Sequence, residues 1–230
     1  MNILAIDTSN QVMTVAITRG GELIAETIIN VKRNHSVGLM PAIDNLLKDA
    51  NMLPKELDKI VVAKGPGSYT GVRIGLSTAK TMAWTLNIPV IGVSSLEILA
   101  RNFFQSQDVI CPFFDARRGL VYTGLYQETN LKKEEQNLLF SDWLVKLKDV
   151  EGKILFVSPD LSIHKETIKD ILKEKAVFPP AIFHVPRASV LAEIAEEKEI
   201  EDVHALTPNY LRMVEAEAIW LKEQAEKNND

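Results

Sequence analysis

Two aspartates close apolar runs and could do chemistry. Asp7 ends Asn2-Ile3-Leu4-Ala5-Ile6 and is followed by Thr8 and Ser9; Asp115 ends Val109 to Phe114 and is followed by Ala116, Arg117, Arg118 and Gly119. A carboxylate at a strand end can hold a metal or a water, while hydroxyls and turn N–H groups meet phosphate oxygens. The simpler reading is that Asp7 caps a turn and that Thr8 and Ser9 satisfy local backbone groups. Arg117 and Arg118 can reach a phosphate or a partner carboxylate, or they form an ordinary charged hairpin turn. A third candidate is Lys64-Gly65-Pro66-Gly67-Ser68-Tyr69-Thr70-Gly71-Val72-Arg73-Ile74-Gly75, between an apolar run (59–63) and a helical pattern reaching about Asn87. Glycines there suit positive φ or close backbone approach, Thr70 suits an N-cap, and a helix start can offer N–H groups to an anion; the simpler reading is a tight strand-to-helix connector with no ligand. Its spacing matches neither a Walker A loop nor a dinucleotide fingerprint.

Other nucleophile and metal signals are weak. His35, His164, His184 and His204 are far apart and show no ligand pairing, and His35 suits a capping or surface role before the first helix. No Ser–His–Asp triad or activated lysine can be assigned. The single cysteine, Cys111, lies in an apolar run and reads as a small core hydrophobe. It cannot form an internal disulfide, which favours a reducing compartment, the cytoplasm. The N-terminus lacks a basic segment and Asp7 interrupts its first apolar run, which argues against a signal peptide. No apolar run approaches the ~20 residues that span a bilayer.

The elements that must position these residues follow from periodicity. Residues 2–7, 12–19 and 22–30 read as strands, with Gly20-Gly21 as a hairpin signal. A helix over 36–52 carries Leu39, Met40, Ile43, Leu46, Leu47 and Ala50, with Pro41 expected in its first turn or at a kink. Strand 59–65, helix 71–87 and a short strand 89–93 complete the first half. The second half repeats the plan more loosely: strands 108–114, 120–127 and 153–157, and helices 141–149, 162–174 and 188–198. Along helix 71–87, Gly71, Gly75, Ala79 and Ala83 recur every four residues beside the apolar Val72, Leu76 and Leu86. Small residues on one face let another helix approach closely. This face either covers the chain's own sheet or docks a partner.

Five motifs in series carry a resemblance that covers nearly the whole chain: MNILAIDTS at the start, GPGSYTGVRIG, Gly92-Val93-Ser94-Ser95-Leu96-Glu97, Asp115-Ala116-Arg117-Arg118, and Pro208-Asn209-Tyr210-Leu211-Arg212. Together they resemble the TsaB (YeaZ) family, the partner subunit in bacterial tRNA threonylcarbamoyladenosine (t6A) synthesis. The resemblance implies a duplicated α/β actin-like (ASKHA, ribonuclease H-like) fold. The expected division is a first lobe over 1–106, a smaller lobe over 107–208, and a C-terminal helix within 209–230. It implies that Asp7, Thr8, Ser9, Asp115, Arg117 and Arg118 form a degenerate nucleotide site, because the second phosphate loop carries side chains where glycines normally stand.

The resemblance also implies partners. The family's catalytic paralogue, TsaD, carries a His-x-x-x-His pair on a helix after the strand equivalent to 89–93; matching this chain places Ser95 and Leu99 there, and leucine cannot ligate a metal. No metal, no cofactor and no catalytic residue is therefore expected. The expected role is a non-catalytic scaffold that binds the TsaD-like subunit and a TsaE-like ATPase, forms a homodimer when alone, and meets tRNA only within the complex. Leu39, Met40, Ile43, Leu47, Gly71, Val72, Gly75, Leu76, Ala79 and Ala83 are its expected partner-binding residues. A formal net charge of −5 fits poorly with autonomous tRNA binding, which needs several neutralised phosphates. The alternative is an actin-like small-molecule kinase or ATPase using Asp7 and Asp115. A metallopeptidase would need a metal pair.

Overall fold

The computed structural model describes residues 1–31 and 34–211. The helix expected within 209–230 lies outside them beyond Leu211. The first half runs β1 (Asn2–Asp7), β2 (Met13–Arg19), β3 (Glu22–Ile29), α1 (His35–Asp49), β4 (Lys59–Ala63), α2 (Tyr69–Leu86), β5 (Val90–Val93) and α3 (Ser95–Arg101). The second half repeats that order element for element: β6 (Val109–Asp115), β7 (Leu120–Gln127), β8 (Asn130–Leu139), α4 (Phe140–Lys146), β9 (Ile154–Val157), α5 (Leu161–Leu172), β10 (Ala176–Val177) and α6 (Ala188–Ile194). The sheets are also equivalent, with orders β3-β2-β1-β4-β5 and β8-β7-β6-β9-β10. In each the first strand pairs antiparallel with the second and parallel with the fourth. This is the duplicated α/β plan of an actin-like fold, and the repeat is tighter than the sequence suggests.

Both faces of each central strand are covered, which is why the strands read as continuous apolar runs. On β1, Leu4 and Ile6 pack under α1 and α2, while Ile3 and Ala5 face α6. On β6, Cys111 and Phe113 pack under α4 and α5, while Ile110 and Phe114 face the side of α3. The last helix of each half therefore crosses over: α3 packs on the second sheet and α6 on the first. All strands of one sheet precede residue 106 and all strands of the other follow it, but these two helices are exchanged. Arg101 on α3, almost fully buried, locks the exchange by pairing with Glu197 at 2.5 Å, just after α6. Glu26 on β3 accepts from Ser189 N and Ser189 Oγ at the start of α6, both at 2.9 Å, and pairs with Arg187.

Several local expectations need correction. Helix α2 begins at Tyr69, and its N-cap is Ser68 rather than Thr70: Ser68 Oγ accepts from Gly71 N at 3.3 Å. Pro41 lies in the second turn of α1, exposed, where its missing N–H interrupts only the solvent side. Strand β8 and helix α3 were not expected as elements. The strand is a charged sheet edge (Asn-Leu-Lys-Lys-Glu-Glu-Gln-Asn) without apolar alternation, a composition that discourages edge-to-edge pairing.

The largest correction concerns the helix faces. Leu39, Ile43, Leu47, Gly71, Val72, Gly75, Leu76, Ala79 and Ala83 are all buried against the chain's own first sheet. The small-residue row serves internal packing. A Cβ on Gly71 would lie 2.2 Å from Thr8 O, and one on Gly75 would lie 2.6 Å from Thr8 Oγ1, so the row admits the β1 turn rather than a partner helix. Of the ten residues expected to bind a partner, Met40 alone is exposed.

Candidate functional site

The turn after β1, the start of α2 and the β6–β7 turn meet across a cleft of about 460 Å³ lined from both halves of the chain. It is lined by Ser9, Gly67, Ser68, Asp115, Arg117 and Asp160 among others. The fold brings Ser9, Asp115 and Arg117 to one cleft. It does not bring the two aspartates together. Asp7 lies outside the lining and is fully buried, its Oδ1 accepting from Ser9 N at 2.7 Å and its Oδ2 unpartnered. Desolvation raises its pKa above the ordinary carboxylate value, against the lowering effect of the Ser9 hydrogen bonds.

The covering layer is built from the glycine loop. Ser68 N donates to Ser9 O at 2.6 Å, and a Cβ on Gly67 would lie 2.1 Å from that same oxygen. Thr8 Oγ1 donates to Gly71 O at 2.7 Å. Close approach of the β1 turn, rather than a bound anion, accounts for Gly67, Gly71 and Gly75, and one N–H at the α2 start is spent on that contact.

On the opposite wall Asp115 is turned toward α5. Its Oδ1 lies 2.8 Å from His164 Nε2 and its Oδ2 accepts from Arg117 N at 3.1 Å. Asp115 N donates to Asp160 Oδ2 at 2.9 Å, and Ala116 N donates to Leu120 O at 2.9 Å. Three successive N–H groups of the second loop are therefore bonded within the protein, where a phosphate loop leaves them open. Arg117, Arg118 and Gly119 all have positive φ (65°, 55° and 75°), a tight left-handed turn that non-glycine residues adopt at a cost. Burial raises the Asp160 pKa, with the Asp115 N–H acting in the opposite direction. His164 and Asp160, which the sequence does not single out as site residues, join Asp115 because α5 folds back across the end of β6; no local spacing signals it.

The positions matched to the paralogue's metal histidines lie on α3. Leu99 is buried in the core beneath the second sheet, and Ser95 is buried with its Oγ unpartnered. Among the described residues no group of three or more His, Cys, Asp or Glu side chains is placed to hold a metal ion. His35 Nε2 lies 2.8 Å from Asn10 O. His184 Nδ1 accepts from Ser158 N at 3.2 Å while its Nε2 lies 2.9 Å from Pro179 O. Cys111 is buried beside Thr123, and desolvation pushes its thiol up to about 11, which suits a core residue and not a nucleophile.

A family model described as "TsaD: tRNA N6-adenosine threonylcarbamoyltransferase" matches residues 22–220. The tRNA threonylcarbamoyladenosine biosynthesis protein TsaB of Bacillus subtilis is 53% identical over 97% of this chain and 100% of its own length. The chain belongs to the TsaB family. The Escherichia coli TsaB is 29% identical over 92% of this chain and 95% of its own. A solved structure of YeaZ from Pseudomonas aeruginosa superposes with a TM-score of 0.75 at 27% identity, covering 91% of this chain and 99% of that one. The TsaB likeness spans the cleft, both outer helices and the segment to Tyr210, so each of these features lies inside the shared length. Among the described residues no helix is long and apolar enough to cross a membrane.

Beyond the cleft, the outer face of α1 and α2 carries exposed apolar side chains: Val37, Met40, Tyr69 and Trp84, the last 68% exposed. Sequence periodicity finds these helices but favours their small-residue face. Exposed Trp84 and Met40 are the side chains that mark the other one.

Proposed function

We propose that this chain is a non-catalytic subunit in the synthesis of t6A on tRNA, acting in the cytoplasm by holding a TsaD-like catalytic subunit and a TsaE-like ATPase. The observation that carries the reading is the sealed carboxylate of Asp7. In an actin-like enzyme this strand end faces the phosphates, yet here Asp7 is fully buried, with its Oδ1 accepting from Ser9 N. A group that touches neither solvent nor cleft has no route to a substrate. The loop opposite spends its N–H groups on Asp115, Asp160 and Leu120, which removes the second half of a phosphate cradle. The kinase-like alternative therefore loses both walls of its site.

The partner surface is the solvent side of α1 and α2, around Val37, Met40, Tyr69 and Trp84. Large exposed apolar side chains on two neighbouring helices are a typical interaction surface. The same face on a second copy would give the homodimer that forms without the catalytic subunit. A co-purification assay with the TsaD-like subunit tests this: wild type is retained, while Met40→Glu combined with Trp84→Glu is lost although it remains folded. Retention of the double variant at wild-type level would place the interface elsewhere.

A further inference from the structure

We propose that Arg73 is the anion-docking point of this chain, a guanidinium held ready on the outer face of α2 to pair with a carboxylate of the catalytic subunit. This rests on the partner reading above and names the chemistry of its contact. Arg73 is exposed, one turn into a helix that has no acidic residue from Tyr69 to Leu86. Its guanidinium carbon lies 3.9 Å from the centroid of the Tyr69 ring and 5.8 Å from that of Tyr210. The two rings stack at 5.5 Å, and Arg73 Nε donates to Tyr210 Oη at 2.7 Å.

Tyr210 comes from the far end of the chain and is fixed there for identifiable reasons. Asn209 N donates to Lys64 O at 2.7 Å and Asn209 Nδ2 to Glu135 at 3.3 Å. Lys80 Nζ donates to the carbonyls of His204 and Leu206. This strap holds Tyr210 against α2 and thereby holds Arg73. An exposed arginine normally loses much rotamer freedom on binding, and here that loss has already occurred.

Nε is bonded to Tyr210 Oη and the guanidinium also meets Tyr69; the exposed Nη side presents donors matched to the two oxygens of a carboxylate. Among the described residues no carboxylate lies within ion-pair range of Arg73. The adjoining groove of about 500 Å³ is lined by Ser36, Thr70, Ile74, Ser77 and Thr78, with no acid. On a chain of net charge −5, a fixed cation with no acid beside it among the described residues selects a partner group of opposite sign. Among the described residues one cation lines this groove, too few for an RNA backbone, whose binding grows with the number of phosphates neutralised, and the neighbouring Lys80 is already committed to carbonyls. A protein carboxylate is the occupant these facts favour.

Calorimetric titration of the TsaD-like subunit into full-length wild type, Arg73→Met, Arg73→Lys and Tyr210→Phe, each at low and high salt, tests the proposal. Arg73→Met should weaken binding roughly tenfold to a hundredfold and flatten its salt dependence. Arg73→Lys keeps the charge and loses the fork, so it should fall between Arg73→Met and wild type; Tyr210→Phe should lose a few-fold with the salt slope intact. Thermal melts should shift only slightly, because the Arg73–Tyr210 contact lies at the surface. Binding by Arg73→Met within twofold of wild type, with the same salt slope, overturns the proposal. Unchanged subunit affinity with weaker tRNA binding by the assembled complex also overturns it and makes the anion a phosphate. If wild type itself does not bind the subunit, the partner reading fails and this contact with it.

Discussion

At the residue scale, the chemistry of Asp7 is set by desolvation. Its folded-state pKa is raised, so the charged form is disfavoured by folding, and ionisation costs stability at every pH above that raised value. Acidification relieves the cost progressively down to the ordinary value of 3.8. Asp7→Asn keeps an oxygen for Ser9 N and removes the charge. It should raise the melting temperature at neutral pH, and the gain should shrink toward zero as the pH approaches 3.8; thermal melts over a pH series check this. His184 has the opposite dependence. Burial lowers its pKa, and its Nδ1 must stay unprotonated to accept from Ser158 N. Its contribution is complete above the ordinary value of 6.5 and declines as pH falls through 6.5 toward the lowered one. His184→Gln, which can still accept and donate, should flatten the loss of melting temperature below pH 6.5. An unchanged slope would assign that loss to other groups.

At the element scale, α2 decides between two readings that its sequence leaves open. Small residues every fourth position permit close approach on whichever side they face, so the pattern alone cannot say what approaches. Thr8 settles it, because its carbonyl and hydroxyl occupy the space beside Gly71 and Gly75. Ala79→Glu then places a carboxylate at a position with no exposure, which should destabilise the fold by several kcal/mol and appear as a lowered or lost melting transition. Trp84→Glu, on the solvent side of the same helix, should leave the melt nearly unchanged. A folded Ala79→Glu with native melting behaviour would contradict the packing described for α2. The strands were more legible than the helix faces. Apolar runs ending in Asp7 and Asp115 mark β1 and β6, because both faces of those strands are covered. β8 was hidden, since its Lys and Glu residues serve a sheet edge and leave no alternation. Residue type does not separate Ser68, the N-cap, from Thr70 two residues later.

At the scale of the whole molecule, two eight-element halves exchange their last helices, α3 and α6, and close a cleft between them. The duplication was legible from the order of strands and helices. The exchange was not, because Glu26 with Ser189 and Arg101 with Glu197 lie 163 and 96 residues apart, and no local spacing reports such a contact. The site was half legible for the same reason: Ser9, Asp115 and Arg117 line the cleft, while the full burial of Asp7 is a tertiary outcome that no local spacing reports. On the function proposed above, the α1–α2 surface is the working face and the cleft is structural. The most direct test of this account is t6A formation on tRNA in a reconstituted mixture of catalytic subunit, ATPase and this chain. The account predicts that modification requires this chain and that Asp7→Asn supports it at the wild-type rate; loss of modification by Asp7→Asn, with subunit binding intact, would contradict it.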